Sequence, residues 1–322
     1  MRLRVPVAHP LRWFIPGLVY EFTTSTIQNR FLLRPGGNTR ELILGVLARA
    51  LALYPAVSLH AFAFLSNHYH LMASSTDGAQ LASWIGYVNS NIARELGRVH
   101  GWRGPFWGRR TRPIPIVDED ALVARLRYIL SQGVKEGLVE RPEQWPGATS
   151  TPWLLGGRMQ GLWIDRDLET RALRAGRASD TQHYTATYEL ELSPLPCWAR
   201  LSRAEIAARV KSLIEEVVAE TRSTRSTPPL GAAAVLRQDP HEAPVESSSR
   251  PAPVCHAATA KVRAAFRAAY DAFTAAFRKA AELVRRGVDP SRADFPPGSF
   301  PRPASFIHPP ATFRPPWTDG YA

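Results

Sequence analysis

Ala61-Phe62-Ala63-Phe64-Leu65-Ser66-Asn67-His68-Tyr69-His70-Leu71 decides the reading of this chain. Five apolar residues lead into a Ser-Asn pair and then an alternating run, which predicts strand, tight turn, strand. Side chains alternate along a strand, so His68 and His70 share one face, about 7 Å apart along the backbone, and Tyr69 takes the other. Two imidazoles on one rigid face can grip a divalent metal from one side and leave its other side open to substrate. That pairing suggests phosphodiester chemistry. An isolated His-x-His can also be two unrelated polar residues at a strand start, so its companions decide.

Working outward, Leu18 to Thr26 reads as a first strand, and Asn38 with Glu41 opens a helix that runs to about Tyr54. Strands at about Ser58–Leu65 and His68–Ser74 follow. A second helix from about Ala79 to His100 carries Leu81, Trp84, Ile85, Val88, Ile92 and Leu96 at helical spacing. Ile114–Val117 is strand-like, and Pro113 and Pro115 confine it to a sheet edge or bulge. Asp118 then caps a third helix to about Gln132. The order β-α-β-β-α-β-α fits an α+β fold, an antiparallel sheet with helices on one face.

The third helix holds the second clue. Its apolar face is Leu122, Val123, Leu126, Ile129 and Leu130, and Tyr128 and Gln132 fall opposite, one turn apart, beside Arg125. A tyrosine hydroxyl, with an ordinary pKa of about 10, is a poor nucleophile unless a cation or a polarised phosphate assists it. One divalent ion, Mg²⁺ or Mn²⁺, held by His68, His70 and the amide oxygen of Gln132, would supply that help. The same helix face otherwise reads as an exposed tyrosine.

Composition sets the bounds. The 322 residues are 45% hydrophobic, enough for a sizeable core, and the formal net charge is +12. That charge favours a polyanionic partner, nucleic acid first. Residues 1–150 hold 17 basic against 10 acidic residues and the remainder 23 against 18, so neither half is a basic tail. The basic and aromatic residues of one segment interleave: Arg103, Phe106, Trp107, Arg109, Arg110 and Arg112. This suits stacking on unpaired bases and contact with phosphate, or else a packed loop with solvated arginines. Arg94 and Arg98, one turn apart, are further candidates for backbone contact, as is Arg125. Cys197 and Cys255 are too few for a disulfide framework, and Cys255-His256 lacks the spacing of a metal site. No stretch approaches ~18 uninterrupted apolar residues, so no membrane span is expected and the cytoplasm is the default compartment.

Beyond Ser150 the character changes. Residues 151–220 read as a partly helical extension, with a capping box at Ser202 and Glu205. Residues 221–256 read as a linker rich in Pro, Ser and Thr. Residues 257–322 read as a long amphipathic helix, striped by Val262, Phe266, Tyr270, Phe273 and Phe277, and then an irregular Pro-rich tail. All four candidate reactive residues precede Ser150, so the later part is expected to handle substrate rather than chemistry. Its stripe is expected to pack on the first domain or on a second copy, as a homodimer.

The motifs in residues 13–150 together resemble the REP-associated tyrosine transposases, single-tyrosine members of the HUH nucleases. The matching runs are Pro16-Gly17-Leu18-Val19-Tyr20, His60-Ala61-Phe62, Asn67-His68-Tyr69-His70-Leu71, Phe106-Trp107-Gly108-Arg109-Arg110, Arg127-Tyr128-Ile129 and Gly137-Leu138-Val139. The resemblance implies a ferredoxin-like HUH fold, His68, His70 and Gln132 as metal ligands, and Tyr128 as nucleophile. It further implies that the substrate is single-stranded, hairpin-forming DNA, cut and rejoined through a 5′-phosphotyrosine. The chain departs from the family's pattern at Ser66, commonly proline, and at Gln132-Gly133, commonly Asn-Pro. Two other functions fit less of the pattern: a domesticated protein that holds hairpins without cutting, and a metal hydrolase that uses water and needs no tyrosine.

Overall fold

Four strands form the central sheet: β1 (Val19–Ser25), β2 (Val57–Phe64), β3 (His68–Ser75) and β4 (Arg112–Ile116). Their order is β2-β3-β1-β4, and every neighbouring pair is antiparallel. The structure is a computed structural model and describes residues 10–176, 180–244 and 252–300. Helices α1 (Thr39–Leu53) and α2 (Gly78–Val99) connect the strands in the expected order. In β4, Pro113 and Pro115 fall on the outer strand, where missing N–H donors cost least. The Asp77 side chain accepts from the N–H groups of Ala79 and Gln80 and so starts α2.

The pleat sorts the two sheet faces. Phe22, Phe62, Leu71 and Tyr69 point toward α2, where Trp84 meets Phe22 edge-on at 6.3 Å. The stripe read from the sequence of α2 is buried throughout, each such side chain contributing roughly 1.5–3 kcal/mol. Glu21, His70 and Met72 point to the opposite face. There α3 (Glu119–Ser131) lies, capped by Asp118 through the N–H of Ala121. It ends because Gln132 turns to an extended backbone and Gly133 takes φ +80°, a conformation closed to proline.

After residue 150 come α4 (Thr151–Leu154), β5 (Gln160–Ile164), α5 (Arg166–Arg174) and β6 (Thr185–Glu189), with β5 and β6 paired. Two glycines dock this hairpin on α1. A Cβ on Gly45 would sit 1.9 Å from the Leu162 carbonyl oxygen, and one on Gly161 would sit 2.0 Å from the Gly45 nitrogen. Helix α6 (Arg203–Thr224) opens with the expected capping box and buttresses α3. Arg127 of α3 pairs with Glu216 and Glu220 of α6, and Arg141, in the loop after α3, pairs with Glu215. The last turn of α6 and the short α7 (Ala232–Leu236) occupy part of the stretch read as linker; residues 245–251 lie outside the described residues. Helix α8 (Ala260–Arg285) turns its aromatic stripe on the N-terminal segment, with Trp13 stacked on Phe273 at 4.7 Å. The tail beyond residue 300 lies outside the described residues. One apolar core runs from Trp13 to Phe273, so the extension and the sheet share it.

Candidate active site

Alternate positions of β3 hold His68 and His70 on one face, with their rings edge-to-face at 5.3 Å. In both rings Nδ1 is already taken. His70 Nδ1 lies 2.8 Å from Glu21 Oε1, and His68 Nδ1 lies 2.7 Å from Asn67 Oδ1. Both partners are acceptors, so each ring carries its proton on Nδ1 and keeps the Nε2 lone pair for a ligand. Burial, and then the neighbouring His70, push the His68 pKa down to about 3 against an opposing pull from Gln132. His68 is therefore neutral at pH 7, the form a metal needs.

Glu21 is the hub of the site, and the sequence reading missed it. It sits 1% exposed in the middle of β1 among Val19, Tyr20 and Phe22. Its Oε1 also accepts from Arg125 at 2.6 Å, and its Oε2 lies 2.5 Å from His256 Nε2. The His256 ring approaches obliquely, as a close polar contact rather than a linear hydrogen bond. Burial alone would raise the Glu21 pKa. Contacts with His256 and His70 and the charge of the Arg125 guanidinium outweigh it and hold the carboxyl well below the ordinary carboxylate range. A lone acidic residue in an apolar strand was the available signal. His256 carried no such signal, because its approach depends on β4. Its N–H bonds to Pro115 O at 2.8 Å and its carbonyl accepts from Val117 N at 3.0 Å, a bridge on the free edge of the sheet.

Helix α3 brings Tyr128 to the same place, its ring edge-on to His70 at 5.2 Å. The Arg125 guanidinium lies 3.8 Å from the centre of that ring, and Lys135 Nζ lies 5.3 Å from it. Gln132 donates from Nε2 to the Tyr128 carbonyl at 3.0 Å. Its Oε1 is buried and has no hydrogen-bond partner. An orphaned buried acceptor is costly, and one beside a neutral histidine is what a cation would satisfy. Among the described residues no three His, Cys, Asp or Glu side chains cluster as a metal site. The donor set that could hold one is two imidazoles and this amide.

The expected nucleic-acid contacts divide. Arg103, Arg109 and Arg110 are exposed on the loop leading to β4, at the end of the sheet where Ser25 pairs with His68. Arg112 points to the histidine face and donates to Ala252 O at 3.2 Å. Arg12, absent from the sequence reading, joins them; burial and then Arg110 push its pKa down to about 10, and it stays cationic at pH 7. Phe106 is buried in the core, and Trp107 packs edge-on against Tyr69 and donates to Asn89 O. The packed-loop reading therefore holds for these two rings. Arg125 pairs with Glu21 and lies over the Tyr128 ring. Arg94 bonds Asn91 and Arg98 pairs with Glu95, both on α2, across the sheet from the histidines. The cleft of about 530 Å³ that includes Arg94, Tyr87 and Trp163 is likewise on that side and contains no histidine of the pair.

No family model matches the chain, and no curated protein does. Among solved structures, a REP-associated tyrosine transposase bound to a REP hairpin is 18% identical, with a TM-score of 0.37, over 43% of this chain and 79% of that one. A candidate transposase from Deinococcus radiodurans R1 is 16% identical, with a TM-score of 0.28, over 37% of this chain and 93% of that one. Likenesses this distant settle neither family nor activity.

Proposed function

We propose that this protein cleaves and rejoins single-stranded, hairpin-forming DNA with Tyr128 as nucleophile. One Mg²⁺ or Mn²⁺ would be held by Nε2 of His68, Nε2 of His70 and Oε1 of Gln132. The observation that carries the reading is the meeting of the orphaned Gln132 oxygen, two histidines with Nδ1 already engaged, and the Tyr128 ring. When bound, the ion would polarise the scissile phosphate. Tyr128 Oη bonds to phosphorus, the P–O3′ bond breaks, and the 3′ oxygen leaves with a proton. One phosphodiester replaces another, so a later attack by a 3′-hydroxyl restores DNA without ATP. Arg125 and Lys135 flank the phenol and favour the charge that grows there. The exposed arginines of the β4 loop lie at the same end of the sheet, where a strand backbone can cross. Among the described residues no helix is long and apolar enough to cross a membrane.

Incubating the protein with labelled hairpin DNA and Mn²⁺ tests this reading. A protein–DNA adduct that survives denaturing electrophoresis is expected. Cleavage without an adduct would favour water as nucleophile, and hairpin binding without cleavage would favour a non-cutting binder.

A further inference from the structure

We propose that His256 is a positioning residue of the histidine pair, so that the segment 254–258, far beyond Tyr128 in sequence, completes the site. The proposal rests on the metal reading above and concerns how the chain holds one ligand in place.

Glu21 Oε1 is loaded by His70 and Arg125, whereas Oε2 meets His256. Rotation about the last bond of a glutamate is soft, with broad two-fold wells. A carboxylate held at one oxygen can therefore swing. The His256 ring, 2.5 Å from Oε2, closes in the second oxygen, limits that swing and so steadies the direction in which Oε1 meets His70 Nδ1, and with it the plane and tautomer of that ring. Partners of this kind, one bond behind a ligand, commonly alter metal affinity by about 10–100-fold.

Placement of His256 is not left to a loose loop. Two backbone hydrogen bonds seat it on the edge of β4. Two residues on, the N–H of Ala258 bonds Asp118 Oδ2 at 2.8 Å, while Oδ1 of the same aspartate caps α3. One aspartate thus ties the segment to the start of the helix that carries Tyr128. Thr259 then caps α8, whose stripe is anchored on Trp13. The sequence divides chemistry before Ser150 from substrate handling after it; His256 crosses that division.

Mn²⁺ binding to the full chain without DNA, followed by water-proton relaxation, tests the proposal. His256→Ala should weaken Mn²⁺ binding about 10–100-fold, and His256→Gln, which keeps an N–H at similar reach, should recover most of it. In a Glu21→Ala background, His256→Ala should cost little more, because its effect passes through Glu21. A purely structural role would instead add its full loss in that background and overturn the proposal. ¹⁵N spectra of the metal-free protein give a second readout. His70 should be Nδ1-protonated in the wild type and show Nε2–H signal in His256→Ala. If His256→Ala does not fold, His256→Asn replaces it: the shorter amide should bind weakly where Gln binds well. Mn²⁺ affinity within about twofold of wild type, with an unchanged His70 tautomer, would overturn the proposal. A wild type that binds no Mn²⁺ would overturn the metal reading instead, and the tautomer alone would then decide the role of His256.

Discussion

Glu21→Gln keeps the shape of the buried hub and removes its charge. The wild-type carboxylate faces His70, Arg125 and His256 from a position 1% exposed. Removing one partner of a buried ionic cluster costs about 3–5 kcal/mol. The amide still offers one acceptor oxygen, so the lower end applies, about 3 kcal/mol at pH 7. The pH dependence has a definite sign. A carboxyl whose folded pKa is depressed stabilises the fold above its unfolded value, 4.5 for Glu21, and that stability is lost as pH falls toward the folded value. The gap between wild type and Glu21→Gln should therefore be widest near pH 7 and shrink below about pH 4.5. Urea midpoints followed by near-ultraviolet circular dichroism measure it. A gap under about 1 kcal/mol at pH 7, or one that stays constant down to acid pH, would refute the hub role of the Glu21 charge.

His68→Ala and His70→Ala should each abolish cleavage while hairpin binding, measured by gel shift, stays largely intact, since the exposed arginines lie outside the pair. Gln132→Ala should weaken cleavage less, because water can take the place of one amide oxygen; activity equal to wild type at every metal concentration would remove Gln132 as a ligand. Gly45→Ala sets a Cβ 1.9 Å from the Leu162 carbonyl, so α1 and β5 must part. A loss of about 1–3 kcal/mol in urea melts is expected, and an unchanged midpoint would show that the hairpin is not docked there.

The sheet and its first three helices were legible because each carries a strong local signal: the period of α2, the alternation at His68-Tyr69-His70, the Asp118 cap. The histidine pair and Tyr128 could be placed on their elements for the same reason. Their mutual approach could not, since α3 reaches the histidine face through packing on β2 and α6. Glu21 was hidden by its strand, where an acid interrupts an apolar run without naming a partner. His256 was hidden by distance along the chain, because a single edge bridge to β4 delivers it. For Phe106 and Trp107 the sequence left base stacking and a packed loop both open, because alternation of aromatic and basic residues does not reveal which side is buried. The β5–β6 hairpin escaped for a different reason: its docking depends on two glycines that leave room rather than on side chains that attract.

Peptide mapping of the DNA adduct tests the central claim most directly. Trypsin cuts after Arg127 and Lys135, which isolates Tyr128-Ile129-Leu130-Ser131-Gln132-Gly133-Val134-Lys135 with Tyr128 as its only tyrosine. After nuclease trimming, the expected result is this peptide carrying a nucleotide mass on Tyr128, absent from Tyr128→Phe. A nucleotide on any other peptide, or cleavage that persists in Tyr128→Phe with a free 5′-phosphate, would contradict it.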